Sequence, residues 1–165
     1  MIKDPAAVTT FLKQLVESSD PAKVVFVTGA TDFGVEKELH AILKQENANR
    51  LERGEATFSI LGTVVEETRP EEIGPITDAV LLGERWYSKS GKVVELIKER
   101  DGQIIFIGGG NILNDEIQAA WNVRADFYLM KGPEGASTTK ADSFPERAFV
   151  SYEDYMRETS KKSED

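Results

Sequence analysis

Four consecutive apolar residues, Ile104-Ile105-Phe106-Ile107, run directly into Gly108-Gly109-Gly110, and the residues beyond them repeat apolar side chains at helical spacing, at Ile112, Ile117, Ala120 and Trp121. A short unbroken apolar run is the pattern of a strand covered on both faces. Three glycines leave its carboxyl end without a Cβ, so backbone N–H groups can come close to a bound group. The helix that follows adds the unpaired N–H groups of its first turn and the positive end of its dipole. Strand, bare loop and helix, in that order, form the place where α/β sheets hold phosphates. Gly108, Gly109, Gly110 and Asn111 are therefore the first candidate ligand residues.

The same alternation runs along most of the chain. An amphipathic helix is expected over 5–18, with Val8, Phe11, Leu12, Leu15 and Val16 on one face and Pro21 beyond its end. Val24 to Thr28 reads as a strand, and Val35, Leu39, Ile42 and Leu43 as the stripe of a helix. Strands follow at Thr57 to Val65 and Thr77 to Leu82, a helix at Ser88 to Arg100, strands at Gln103 to Ile107 and Asp126 to Met130, and between these two a helix at 112–122. Parallel strands need long crossovers, so this order predicts an α/β fold. The expected form is a three-layer α/β/α sandwich, Rossmann-like, with a mostly parallel sheet of about five strands. One domain is expected over 1–158, with its N-terminal helix within 1–20, a loop region at 131–150, a last helix near 151–158 and a disordered tail at 159–165.

Composition removes several classes of chemistry. Cysteine is absent, which excludes thiolate zinc sites, iron–sulfur clusters and cysteine nucleophiles. With 29 acidic against 20 basic residues the net charge is −9, a field that repels nucleic acids and anionic membranes. A small phosphate ligand is still compatible, because that field is screened over about 8–10 Å and a few local amides suffice. The amino terminus lacks a signal peptide's apolar core, and no apolar run approaches the roughly 20 residues of a bilayer span, so a cytoplasmic location is expected. The patterns G-x-S-x-G and G-x-x-x-x-G-K-[ST] do not occur, against a serine hydrolase or a P-loop ATPase.

Three further places carry candidate residues. The loop after the first strand offers Gly29, Thr31 and Asp32, although G-x-x-G-x-x-G spacing keeps only Gly29 and no acidic residue follows at the ribose position, against a nicotinamide dehydrogenase. A tight turn capped by Asp32 accounts for it equally well. The loop after the third strand is Gly83-Glu84-Arg85-Trp86-Tyr87-Ser88-Lys89-Ser90. Arg85 suits a phosphate clamp, Trp86 or Tyr87 a base-stacking surface, Ser88 and Ser90 caps that also donate to an oxygen, and Lys89 positive charge. Glu95 and Glu116 each lie about one turn into a helix, where a carboxylate beside a ribose can serve as nucleophile or orient water; the plain alternative is a surface glutamate favoured near a helix start. Asp115 suits a dipole partner, His40 a structural or exposed role, and Ser137, Thr138 and Lys140 either phosphate contacts or a connector. No metal ligand set is recognisable.

Gly109-Gly110-Asn111-Ile112-Leu113-Asn114-Asp115-Glu116 resembles the P-G-G-x-G-T-x-x-E motif of the Lonely Guy family of nucleotide phosphoribohydrolases, often labelled lysine decarboxylases, whose superfamily also includes the DNA-processing protein DprA. Gly108 stands where that motif has proline, and Ile112 and Leu113 where it has Gly-Thr. The resemblance implies that Gly109 and Gly110 hold a phosphate, that Glu116 works at the ribose, and that an arginine, here Arg85, supports catalysis. Ser90-Gly91-Lys92-Val93-Val94-Glu95 is similar to the S-G-T-x-x-E element of nucleoside 2-deoxyribosyltransferases, which implies a nucleophilic Glu95. Together these imply a nucleotide- or phosphoribosyl-binding protein with cleavage of an N-glycosidic bond as its reaction, or a noncatalytic nucleotide-binding or interaction protein. The implied assembly is a homo-oligomer; the residues single out no cofactor, and Mg2+ is compatible.

Overall fold

The computed structural model describes residues 5–30, 34–85 and 89–163. Two compact units divide the chain, one of residues 9–86 and one of residues 1–8 with 87–165. Each is an α/β unit built on its own three-stranded parallel sheet, six strands among the described residues where about five in one sheet were expected.

In the unit of residues 9–86 the strands are β1 (Phe26–Thr28), β2 (Ile60–Val64) and β3 (Asp78–Leu81), in the order β1-β2-β3. Phe26 pairs with Ile60 and Thr28 with Gly62, and Leu61 with Asp78. The crossover from β1 to β2 is α2 (Gly34–Glu52). From β2 to β3 the chain uses a loop with one 3-10 turn at Pro70–Glu72. Val16, from α1 (Pro5–Glu17), closes the core with Leu43, Phe58 and Ile60, and Phe26 meets the Phe58 ring edge-on at 5.4 Å. His40, expected to be either structural or exposed, is buried and shares a 2.9 Å hydrogen bond between Nε2 and Thr28 Oγ1. Glycine inside β2 has a packing reason: a Cβ on Gly62 would stand 2.6 Å from Ile76 Cδ1 and 2.7 Å from Ala30 Cβ.

The other unit orders its strands β4 (Gln103–Ile107), β5 (Asp126–Met130) and β6 (Ala148–Phe149). Gln103 pairs with Asp126, Ile107 with Met130, and Met130 with Phe149. The helices are α3 (Lys89–Glu99), α4 (Asn111–Asn122), α5 (Ala136–Ala141) and α6 (Tyr152–Ser163). β5 is central and buried on both faces, and its alternation assigns each side chain to a layer. Phe127 and Leu129 join Ile104 and Phe106 of β4, Val94 of α3 and Ile117 and Ala120 of α4. Phe127 also lies in an aromatic stack, 5.9 Å from Phe106 and 5.5 Å from Phe144, with the Arg147 guanidinium 4.3 Å over its ring. On the opposite face Tyr128 and Phe149 meet Tyr155 of α6, at 5.7 Å and 5.2 Å. The Tyr155 hydroxyl donates to Gln103 Oε1, and burial, then the Tyr128 neighbour, raise its pKa above the ordinary phenol value.

The C-terminal part of the chain is more ordered than its composition suggests. The segment 131–150 is not one loop: it contains α5, a 3-10 turn at Pro145–Arg147 and β6, which completes the second sheet. Helix α6 continues to Ser163, through residues expected to be disordered, because Tyr155 anchors its first turns.

Candidate functional site

Beyond β4 the backbone turns with φ +67 at Gly108 and +84 at Gly109, values that L side chains rarely adopt, and reaches α4 through Gly110 at φ −112. A second turn, after β5, lies directly against it. Ala136 N–H donates to the Gly109 carbonyl (2.9 Å) and Ser137 N–H to the Gly108 carbonyl (3.0 Å). The buried Ser137 hydroxyl accepts the Gly108 N–H (2.7 Å) and donates to the Met130 carbonyl (2.8 Å). Backbones approach so closely that a Cβ on Gly135 would stand 2.8 Å from Gly108 C and 2.9 Å from Gly109 N, and closer still to the Gly109 carbonyl oxygen.

The consequence is a sorting of polar groups. Both glycine carbonyls at 108 and 109 are drawn to the second turn, and so is the Gly108 N–H. Among the described residues the N–H groups of Gly109 and Gly110 have no hydrogen-bond partner. They stand before a helix that has neither a side-chain cap nor an acidic residue in its first turn. That end of α4 carries partial positive charge with nothing in its own first turn to offset it. Gly110 is different from its neighbours, because a Cβ there would meet nothing within 4 Å and its φ is ordinary. One turn on, Asn114 donates its backbone N–H to the Gly110 carbonyl (3.1 Å), and its Oδ1 is buried without a partner among the described residues.

The other residues named from the sequence fall in several places. Glu116 is half-buried on α4, Asp115 exposed beside it, Glu95 exposed on α3, and Lys89 buried at the start of α3. These belong to the same unit as the glycine turn. Gly29 and Arg85 belong to the other unit. Arg85 follows a continuation of the β2–β3 ladder, in which Glu67 N–H donates to the Glu84 carbonyl (3.1 Å), and its guanidinium lies 3.6 Å from the Glu67 carboxylate. The Gly29 N–H donates to Glu36 Oε1 (2.6 Å), so a carboxylate of the chain itself takes the anion position at the end of β1. Thr31, Asp32, Trp86, Tyr87 and Ser88 lie outside the described residues, as do the side chains of Ser90 and Asn111.

Sequence reasoning gave Ser137, Thr138 and Lys140 a phosphate or linker role. The hydroxyls instead bind backbone: Ser137 as above, Thr138 Oγ1 accepting the Gly132 N–H (3.0 Å) and donating to the Pro133 carbonyl, and Thr139 donating to the Gly135 carbonyl (3.0 Å). The signal that could have found this is the second glycine pair, Gly132 and Gly135, placed after β5 as Gly108 and Gly109 are after β4. Among the described residues no group of three or more His, Asp and Glu side chains could hold a metal ion, and no helix is long and apolar enough to cross a membrane. Compared with known proteins, no family model matches this chain and no curated protein matches it.

Proposed function

We propose that the chain binds a phosphate-bearing small molecule, a nucleotide or phosphoribosyl compound, at the turn that joins β4 to α4. The Gly109 and Gly110 N–H groups and the first turn of α4 hold the phosphate, and Glu116, farther along that helix, serves the ribose. The observation that carries this reading is Gly110. It is a glycine at an ordinary φ with open space at its Cβ position, set beside an N–H without a partner among the described residues. A close-approaching ligand supplies the missing reason. The strand order of each unit supports a Rossmann-like assignment, since β1-β2-β3 and β4-β5-β6 each step outward as one mononucleotide-binding half does.

Isothermal titration with the four common nucleoside 5′-monophosphates tests the reading. Wild type binds at least one of them. Gly110→Ala, which leaves the fold intact, loses that binding because a methyl occupies the anion's approach. Equal binding by the two proteins overturns the site.

If the chain is a hydrolase, water and a nucleoside monophosphate become ribose 5-phosphate and free base, and Glu116→Gln abolishes base release while Glu95→Gln diminishes it. One observation favours binding without turnover. Leu113 packs against Gly109, its Cβ within 2.6 Å of where a Gly109 Cβ would be, so an apolar side chain stands where the resembling motif has threonine. On that reading the ligand is recovered intact.

A further inference from the structure

We infer that Ser137, on the helix after β5, is the positioning residue of this phosphate site, acting through Gly108 without touching the ligand. The inference rests on the proposed function and deepens it by making the turn after β5 half of the site. An anion cradle needs its N–H groups forward and its carbonyls turned away, since a carbonyl oxygen facing a phosphate repels it. Around Gly108 a single residue provides this. Ser137 takes the Gly108 carbonyl with its N–H (3.0 Å) and the Gly108 N–H with its hydroxyl (2.7 Å), so the peptide groups on both sides of Gly108 are held in orientation. Its hydroxyl proton is committed to the Met130 carbonyl (2.8 Å), which ties the arrangement to the end of β5. Ser137 has no exposed surface, so its hydroxyl is not a surface group available to solvent or ligand. Ala136 adds the third bond, to the Gly109 carbonyl (2.9 Å). With both carbonyls and one N–H engaged, the Gly109 and Gly110 N–H groups are the part of the turn left to a ligand.

Ser137→Ala removes the hydroxyl and leaves the Gly108 N–H and Met130 carbonyl without it. Thr139→Val is the control, because it deletes a hydroxyl on the same helix that reaches Gly135 and not Gly108. The probe is the nucleoside monophosphate that wild type binds, read by titration beside a melting curve. Ser137→Ala is expected to weaken binding about ten- to a hundredfold, the value of one misplaced charge-assisted hydrogen bond, while Thr139→Val binds as wild type and Ser137→Thr, which keeps the hydroxyl, recovers part of the loss. Unchanged affinity in Ser137→Ala overturns the inference and leaves the site standing. A loss shared by Thr139→Val, in proportion to its melting temperature, overturns it too, since Ser137 is then only structural. Absence of any binding by wild type overturns the site itself and the inference with it. Should Ser137→Ala not fold, wild type carries the test by amide NMR with inorganic phosphate. The Gly109 and Gly110 amide protons shift on titration and that of Gly108 stays; a Gly108 shift as large as theirs refutes the role.

Discussion

Gly135→Ala is the sharpest perturbation of the paired turns, because its cost is readable from geometry and a neighbouring glycine serves as control. Gly135 has φ +133 and ψ −162, a region open in practice to glycine alone, and any side chain there costs about 1–3 kcal/mol. The methyl would also meet Gly108 C at 2.8 Å and Gly109 N at 2.9 Å, backbone atoms with no flexible end to swing aside. The two turns must therefore part. Parting them breaks the bonds from Ala136 N–H, Ser137 N–H and Gly108 N–H, each of which contributes about 0.5–1.5 kcal/mol net. The expected total is about 2.5–7.5 kcal/mol, a large share of the roughly 5–15 kcal/mol of an ordinary domain. Gly132 has nearly the same φ, +128, but nothing within 4 Å of its Cβ position, so Gly132→Ala carries the conformational cost without the collision. Urea unfolding followed by far-ultraviolet circular dichroism measures both variants. Gly135→Ala should exceed Gly132→Ala by about 2 kcal/mol or more; equal losses would refute the claim that the turns are held backbone against backbone.

Other sites give independent checks. Phe127→Ala empties the centre of the aromatic stack and should cost about 3–5 kcal/mol in the same unfolding assay. Thr28→Val takes away the buried partner of His40 and the acceptor of the Ala30 N–H, for about 1–3 kcal/mol, whereas an exposed hydroxyl deletion such as Thr159→Val should change stability little. Asn114→Leu, of similar size, replaces a buried oxygen that has no partner among the described residues and should raise the melting temperature, by up to about 1 kcal/mol of stability; a fall would show that Oδ1 is paired in solution. Tyr155 and Tyr128 have pKa values raised by burial, so the unfolded chain ionises first. Their stabilising contribution is complete below the unfolded value of about 10 and is lost as pH climbs from there toward the folded value. Tyr155→Phe should flatten stability against pH above about pH 10, and an unchanged slope there would count against the buried phenol.

The strands that line the site were the most legible part of the chain. Gln103 to Ile107 and Asp126 to Met130 match the observed β4 and β5 at both ends, because each is an apolar run with a polar residue at its start and a glycine at or just beyond its end. β6 left no such trace. Two residues after a 3-10 turn, Ala148 and Phe149, owe their extended state to pairing with Leu129 and Met130, a tertiary fact without local pattern. Division of the strands between two sheets was equally hidden, since periodicity says that a strand is covered and not which neighbour it pairs with. Ser137 and Thr138 looked like ligand donors because hydroxyls beside glycines suit both a phosphate and a carbonyl. Only the position of the preceding turn shows that the acceptor is the chain's own backbone.

The glycine run itself shows why a motif underdetermines a site. Gly108 and Gly109 are explained inside the molecule, by positive φ at both and by the Leu113 side chain against the second. They would be conserved by folding alone in any chain that closes these two turns together, so their presence says little about a ligand. Gly110 has no such explanation. The end of β1 supplies the contrast. Gly29 offers an N–H at a strand's carboxyl end, and Glu36, in the first turn of α2, fills it with a carboxylate at 2.6 Å, against which a Cβ would collide. One strand-end amide has an anion built into the sequence; the other stands before a helix whose first turn contains no acidic residue. On the proposed reading, an external anion at the turn after β4 meets the same kind of donor without having to displace a carboxylate.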